Sequence, residues 1–213
     1  MKEINIYEIY AGQDETITTE KKEFQSSYRK TALTGSVHVN TLGFENDNQS
    51  DKKNHGGVNQ AVCVYPKSSY DFFKDTHQLE LPECAFAENI SVLDVTDKDV
   101  CIGDQYSCGE VVFEVSQPRA PCWKISAVLG IKKLTPLVIA DNKTGFYFRV
   151  IQEGKIDKTS TLKLLSRKHE KMTIHHINEC FFNPSKNQEN IKEILSCEAI
   201  SDSMRKDFEK RLK

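Results

Sequence analysis

The sequence has no long apolar run. Its most apolar stretches are short, such as 61–65 (AVCVY) and 137–140 (LVIA), whereas a membrane-spanning helix needs about 20 apolar residues. The N-terminal stretch MKEINIYEIY lacks the apolar core and the small-residue cleavage site of a secretory signal. We therefore expect a cytoplasmic protein without a membrane partner.

An excess of charge of one sign is also absent, because 29 Lys and Arg residues stand against 31 Asp and Glu residues and the formal net charge is −2. Proteins that bind duplex nucleic acid or anionic lipid depend on clustered basic residues. We therefore expect no nucleic-acid partner, although a local basic pocket remains compatible with this composition. With 38% apolar residues the chain has the composition of an ordinary globular protein.

The seven cysteines are odd in number and include no C-x-x-C pair, which argues against a disulfide framework and against a zinc ribbon. Most are expected to be small buried side chains. The sequence also lacks the glycine-rich nucleotide motifs, the G-x-S-x-G hydrolase motif and the H-E-x-x-H metalloprotease motif. The commonest nucleotide-binding, hydrolase and metalloprotease classes are thereby excluded.

Short apolar segments, many of them alternating and bounded by turn residues, dominate the chain up to about residue 160, which predicts a mainly β structure. So many strands with little intervening helix favour a β-barrel. The predicted strands are 4–10, 35–41, 60–65, 85–92, 105–108, 111–116 and a hairpin of 145–152 with 155–156, and the predicted helices in this part are 68–74 and 123–129.

Beyond residue 165 the spacing becomes helical and predicts three short helices, at 173–182, 187–197 and 201–212, with Ser201 as an N-cap. We therefore predict a β-barrel domain over residues 1–163 and a C-terminal three-helix domain over residues 164–213. Isolated short helices need a packing partner, so the tail is expected to contact a partner protein or a second copy of the chain.

Two segments of the β-rich part carry unusual polar or glycine residues. In His55-Gly56-Gly57 the glycines allow backbone N–H groups to approach a ligand and His55 can exchange a proton near neutral pH; the alternative is a tight turn with a surface histidine. Asn89 lies in an apolar segment, where a buried amide must bond either a neighbouring backbone group or a ligand.

The most informative segment is 116–124 (SQPRAPCWK), where two prolines place Cys122 between the end of a strand and the start of a helix. A helix N-terminus and the nearby cations Arg119 and Lys124 favour the thiolate form of this cysteine. Such a thiolate could be a nucleophile, a redox group or a ligand of a soft metal. The alternative is a buried cysteine beside the single tryptophan, Trp123.

Five segments in this order, 54–66, 86–92, 102–104, 116–125 and 145–154, resemble the MOSC domain, the family named for the C-terminal domain of molybdenum cofactor sulfurase. The helical tail is similar to the three-helix appendage of a bacterial branch that reduces N-hydroxylated compounds such as 6-N-hydroxylaminopurine. The resemblance implies a β-barrel whose pocket binds the molybdenum–pterin cofactor, with one protein cysteine as a ligand of the metal.

Carried over by position, the resemblance implies that Cys122 is the metal ligand and that His55, Gly56, Gly57 and Asn89 line the pocket. A soft thiolate suits a metal that also carries sulfur ligands from its pterin. We add Arg119 and Lys124 as candidates for the phosphate side of the cofactor. This chain departs from the usual family pattern where Asn46 and Ala87 replace glycines and where Val58-Asn59 replaces Pro-Asp.

The leading hypothesis is therefore a molybdenum-dependent oxidoreductase that removes oxygen from a small N-hydroxylated substrate. Its electrons come from a partner reductase, because the sequence has no flavin, nicotinamide or iron–sulfur motif. One alternative is a protein that carries the cofactor, or its sulfur as a persulfide on Cys122, without turnover. A third hypothesis is a barrel that has lost the cofactor and serves as a thiol-reactive or interaction module.

Overall fold

A computed structural model describes residues 3–20, 22–50 and 56–212 of the chain. Its strands are β1 (Glu3–Ala11), β2 (Glu15–Thr18), β3 (Glu23–Ser26), β4 (Thr31–Ala32), β5 (Val37–Asn40), β6 (Gly43–Phe44), β7 (Val62–Pro66), β8 (Ile90–Val92), β9 (Gln105–Cys108), β10 (Val111–Pro118), β11 (Phe146–Gln152), β12 (Gly154–Ile156) and β13 (Thr161–Ser166). Its α-helices are α1 (Lys67–His77), α2 (Trp123–Leu129), α3 (Leu134–Ala140), α4 (Ile174–Phe182), α5 (Gln188–Ser196) and α6 (Asp202–Glu209).

Seven strands close into a barrel, which confirms the predicted fold class. Their order is β13-β9-β10-β11-β7-β8-β1, and β1 pairs back onto β13 through Ile4 and Leu162. The pairs around this barrel are antiparallel except for β7 with β8, which run parallel. A parallel pair needs a long crossover, and α1 with the loop that follows it supplies one.

The barrel interior is filled by side chains that alternate inward along each strand, as the period of two requires. In β1, for example, Ile4 and Ile6 are buried and the residues between and before them are exposed. Phe113 and Phe148 stack across β10 and β11, with ring centroids 4.9 Å apart. The barrel is therefore a packed core and leaves its binding surfaces to the loops at its ends.

A second apolar cluster lies outside the barrel, beneath α1, α2 and α3. At its centre Tyr65 and Phe86 stack with ring centroids 3.8 Å apart, and Tyr70 meets both rings edge-on. Phe86 belongs to the loop between α1 and β8. Packing in this cluster therefore holds the loop between α1 and β8 in place, although the Phe86 part of that loop pairs with no strand.

The three C-terminal helices form as predicted. Thr173 and Ser201 cap α4 and α6, since their hydroxyl oxygens accept hydrogen bonds from the N–H groups of His176 and Met204 at 3.1 and 3.2 Å. Ile177, Ile191 and Phe208, one from each helix, belong to the same apolar cluster as the barrel interior. In the described ranges, no helix is both long enough and apolar enough to cross a membrane.

The structure corrects two predicted elements and adds others that were not predicted. The strand predicted over 85–92 forms only over 90–92, as β8. Ala87 adopts the left-handed backbone conformation, with φ of 55°, which a strand does not accommodate. The predicted hairpin of 145–152 with 155–156 does not form, since β11 pairs with β10 and β7 whereas β12 pairs with β5. Helix α3 was not predicted, nor was the β2–β3 hairpin.

The predicted domain boundary at 163/164 stays a prediction. Strand β13 runs on to Ser166, and its pairing with β9 extends to that residue. Arg167 then binds the buried carboxylate of Asp104 through Nε and Nη2 at 2.8 and 2.6 Å. The connection to the helices is thus tied directly to the barrel.

Candidate active site

A cleft at one end of the barrel collects residues from six separate segments of the chain. It encloses about 660 Å³ when its open mouth is included. Its lining comprises Ser26, Ser27, Tyr28, Lys30, Asp47, Asn48, Gln49, Ser50, Gly56, Gln60, Cys63, Phe86, Ala87, Asn89, Arg119, Cys122, Lys124 and Tyr147. Of the predicted site residues, Gly56, Asn89, Arg119, Cys122 and Lys124 are therefore brought together here.

Cys122 is half-buried, whereas each of the other six cysteines is buried. The prediction that most cysteines are core side chains is thereby confirmed. Cys122 lies four residues after the end of β10 and directly before α2, with an extended backbone (φ −110°, ψ 149°). Its carbonyl oxygen accepts hydrogen bonds from the Ile125 N–H at 3.1 Å and from Thr135 Oγ1 at 3.2 Å. These bonds fix the backbone that presents its thiol to the cleft.

A second cysteine, Cys63 on β7, also lines the cleft. Desolvation by burial raises the pKa of this thiol to about 11, even though the Arg119 cation acts in the opposite direction. Near neutral pH Cys63 is therefore a protonated thiol, and the thiolate is the form that binds metals. Cys63 is also buried whereas Cys122 is half-buried, and this difference in exposure singles out Cys122 as the candidate ligand.

Arg119 is 6% exposed, so nearly the whole guanidinium is withdrawn from water. Its Nη2 donates to the Phe86 carbonyl at 3.0 Å, and its backbone N–H donates to the Gly145 carbonyl at 3.0 Å. Its Nη1 is buried and has no hydrogen-bond partner among the described residues. A buried cation with an unused donor is costly unless a counter-charge binds it, which makes Arg119 a candidate anion site.

Two tyrosines near Arg119 do not supply that counter-charge. Burial raises the pKa of Tyr28 and of Tyr147 well above the ordinary value of a phenol, and the neighbouring Arg119 cation only partly opposes this. Both phenols are therefore neutral at physiological pH. Tyr28 donates to the Ala85 carbonyl at 2.6 Å and so holds the loop that contacts Arg119.

Lys30 has a counter-charge within the protein. Its Nζ lies 2.6 Å from Oδ2 of Asp47, and both side chains are buried. Asp47 also accepts from the Gly12 N–H at 2.8 Å and from Asn89 Nδ2 at 2.9 Å. The sequence predicted neither Lys30 nor Asp47 as a site residue. Lys30 stands in no motif, and Asp47 follows Asn46, where the chain departs from the usual family pattern.

Asn89 lines the cleft, but its amide group is committed to the protein. Oδ1 accepts from the Cys63 N–H at 3.0 Å, and Nδ2 donates to Asp47 and to the Tyr10 carbonyl at 3.3 Å. Of the two roles open from the sequence, the geometry is that of an amide bonded to neighbouring groups. Asn89 ties the loop before β8 to β7, β1 and the Lys30–Asp47 pair.

The glycine pair adopts the conformation that only glycine favours, with φ of 114° at Gly56 and 81° at Gly57. Their N–H groups donate to Oε1 of Gln60 at 2.9 Å and to Oε1 of Gln49 at 3.1 Å. Gly57 itself is not among the residues that line the cleft. His55, which sequence analysis grouped with them, lies outside the described residues.

The departures from the usual family pattern differ in their consequences. Asn46 is not among the residues with positive φ, so its replacement of glycine introduces no left-handed strain. Ala87 has φ of 55° and lines the cleft, so this replacement places a methyl group on a strained backbone.

The chemistry of the lining fits a soft metal bound to a polyanionic group. Among the residues that the structure describes, three cations, Lys30, Arg119 and Lys124, line the cleft against one carboxylate, that of Asp47. A half-buried thiol and the unused Arg119 donor lie in this electropositive space. A thiolate suits a soft metal, and guanidinium and ammonium groups suit phosphate.

The chain belongs to the MOSC family, whose domain matches residues 51–163. Residues 172–213 match the YiiM-like 3-alpha helix domain. A crystal structure of YiiM from Geobacillus stearothermophilus superposes with a TM-score of 0.83 at 32% identity, covering 99% of this chain and 100% of that one. The fold and its helical tail are thus those of a YiiM-like MOSC protein.

Curated relatives agree with this assignment. The chain is 36% identical over 207 residues to Uncharacterized protein YflK of Bacillus subtilis, covering 97% of this chain and 94% of that protein. It is 30% identical over 207 residues to Protein YiiM of Escherichia coli, covering 96% and 91%. A protein named Reductase from Gibberella moniliformis is 30% identical over 160 residues, which is 73% of this chain and 28% of that protein.

Proposed function

We propose that this protein is an oxidoreductase that holds a molybdenum–pterin cofactor in the cleft and reduces N-hydroxylated bases or related compounds. The observation that carries the proposal is the shared position of the half-buried Cys122 thiol and the unused Nη1 donor of Arg119 in one electropositive cleft. Membership of the MOSC family, which is associated with this cofactor, and the relative named Reductase support it.

In this proposal the Cys122 thiolate binds the metal, and Arg119 and Lys124 bind the phosphate of the cofactor. The bound group supplies two-electron oxygen-atom removal, which no side chain can perform. Lys30, Asp47 and Asn89 keep the walls of the cleft in place through their mutual bonds. Tyr147 lines the cleft as a neutral phenol and can donate a hydrogen bond to a ligand there.

The overall reaction is balanced as R–NHOH plus two electrons and two protons giving R–NH₂ plus water. The N–O bond breaks, the substrate nitrogen is reduced, and the oxygen leaves as water. The electrons come from a partner reductase, since the sequence carries no flavin, nicotinamide or iron–sulfur motif of its own.

The proposal is tested with protein purified from a host that makes the cofactor. We expect stoichiometric molybdenum and reduction of 6-N-hydroxylaminopurine to adenine with a chemical electron donor. Protein that contains no molybdenum, or that contains it and reduces no N-hydroxylated base in a panel, would overturn the assignment.

The half-exposed thiol of Cys122 also favours a second candidate, a carrier of the cofactor or of its sulfur without turnover. A cysteine of this exposure can hold a persulfide. Mass spectrometry of the intact protein would then show a sulfur adduct on Cys122 that a reductant removes, together with no substrate turnover. Turnover without such an adduct would reject the carrier.

A further inference from the structure

An aromatic pair lies beside the cleft and is not used in the proposal above. Trp123, the single tryptophan of the chain, is 44% exposed. Phe24 of β3 meets its ring edge-on, with ring centroids 5.0 Å apart. Tryptophan combines a large apolar ring with a polar N–H group and is enriched at contact surfaces.

The position of this pair relative to the cleft follows from the chain. Trp123 stands between Cys122 and Lys124, both of which line the cleft, and Phe24 precedes the lining residue Ser26 by two positions. The Cα atoms of Cys122 and Trp123 are about 3.8 Å apart, as in any trans peptide. Neither ring is among the residues that line the cleft, but Nζ of the lining residue Lys124 lies 5.6 Å from the centroid of Phe24, so the aromatic pair lies beside the cleft.

A lysine ammonium group lies near each ring of the pair. Lys22 places Nζ 3.7 Å from the centroid of the Trp123 ring, and Nζ of Lys124 lies 5.6 Å from the centroid of Phe24. Lys22 is an exposed side chain on a flexible stem, so a planar ligand can displace its ammonium group at little cost. The contact with Phe24 holds the indole in position after Lys22 is displaced.

We infer that Trp123 is the stacking surface for the planar heterocycle of the substrate and sets a preference for N-hydroxylated nucleobases over N-hydroxyl compounds without a ring. The substrate class in this inference rests on the proposed function. Every nucleobase has a π face, and a single base–aromatic stack strengthens binding roughly 10-fold or more.

Binding is tested without turnover, because Trp123 is the only tryptophan and its fluorescence reports on its own surroundings. Titration of the holoprotein with adenine should quench and saturate the emission, whereas hydroxyurea, which has an N–O bond and no aromatic ring, should leave it unchanged. Absence of quenching by adenine would overturn the inference. Quenching by adenine in a protein that reduces no N-hydroxylated base would reject the proposed function and leave the stacking surface standing.

Kinetics supply the second test. Trp123→Ala should raise KM for 6-N-hydroxylaminopurine about 10-fold and leave KM for hydroxyurea nearly unchanged, and Trp123→Phe should restore most of the preference. Tyr7→Ala is the matched control, since Tyr7 is 43% exposed on β1 and contacts Lys67 and Glu83, which do not line the cleft. Equal changes for the ring and ringless substrates in Trp123→Ala would assign Trp123 a structural role only and overturn the inference.

Discussion

Lys30 and Asp47 form a buried ion pair in the wall of the cleft, with Nζ and Oδ2 2.6 Å apart and side-chain exposures of 7% and 5%. The carboxylate is fully used, because its other oxygen accepts from the Gly12 N–H and Asn89 donates to the shared oxygen. The pair and its partners therefore join four segments at one point: the residue after β1, the residue before β4, the loop after β6 and the loop before β8. It neutralises the Lys30 cation, whereas Nη1 of Arg119 has no hydrogen-bond partner among the described residues.

Asp47→Ala should lower the free energy of unfolding by about 3–5 kcal/mol, because it leaves the Lys30 ammonium buried without a counter-charge. Urea denaturation measures this change through the midpoint at constant slope. The control is Lys192→Ala, which removes an exposed pair with Glu189 and should change stability by less than about 1 kcal/mol. Similar losses in the two variants would show that the buried pair has no special role.

Ala87→Gly should stabilise the protein by about 0.5–1 kcal/mol. Left-handed backbone costs an ordinary residue about 1–2 kcal/mol, part of which is offset by the greater chain entropy of glycine. The control is Ala127→Gly within α2, which should destabilise by about 0.5–1 kcal/mol. If both variants lose stability in urea, the assigned conformation of Ala87 is wrong.

Asp97 predicts a specific dependence of stability on pH. Burial raises the pKa of this carboxyl from 3.8 to about 6, although the N–H groups of Thr144 and Gly145 donate to Oδ2 at 2.9 and 3.3 Å. Because the folded-state pKa is the higher one, the folded protein holds more protons between these values. The stability that Asp97 contributes is present below about pH 4 and is lost as the pH rises through about 6.

Asp97→Asn keeps an acceptor for the two N–H groups and removes the titration. Relative to the wild type, its free energy of unfolding should gain about 3 kcal/mol between about pH 4 and about pH 7.5. Asp157→Asn serves as control, because hydrogen bonds from Thr159 lower the pKa of Asp157 and place its titration below this range. Parallel pH profiles of the wild type and Asp97→Asn would contradict the prediction.

The parts of the fold that the sequence predicts are those with regular periodicity or a clear cap. The alternation of apolar residues predicts β1, β9 and β11, and the capping residues Thr173 and Ser201 place the terminal helices within a residue or two. Helix α3 escapes detection because Pro136 and the β-branched Val138 and Ile139 lower its helical signal, although proline is tolerated in a first turn. Phe86 was predicted to lie in a strand but lies in a loop. The sequence alone does not distinguish an apolar residue that packs from a loop from one that packs from a strand.

The site was predictable where a local pattern carries the chemistry. Two prolines and flanking cations single out Cys122, Arg119 and Lys124, and all three line the cleft. Lys30 could not be predicted, because it reaches the cleft only through long-range packing and stands in no motif. Tyr147 lies in the family-like segment 145–154, but the pattern of that segment does not show which of its side chains reaches the cleft. The hydrogen bonds of Asn89 could not be predicted either. Both ends of its amide bond residues distant in sequence, among them Cys63 and Asp47.

The central claim, that Cys122 binds a molybdenum centre, is tested most directly by the molybdenum content of two serine variants made in a host that supplies the cofactor. Cys122 and Cys63 line the same cleft, but only Cys122 is half-exposed. We predict that Cys122→Ser keeps the circular dichroism spectrum of the wild type and loses its molybdenum, whereas Cys63→Ser retains the metal. Full molybdenum content in folded Cys122→Ser would contradict the account.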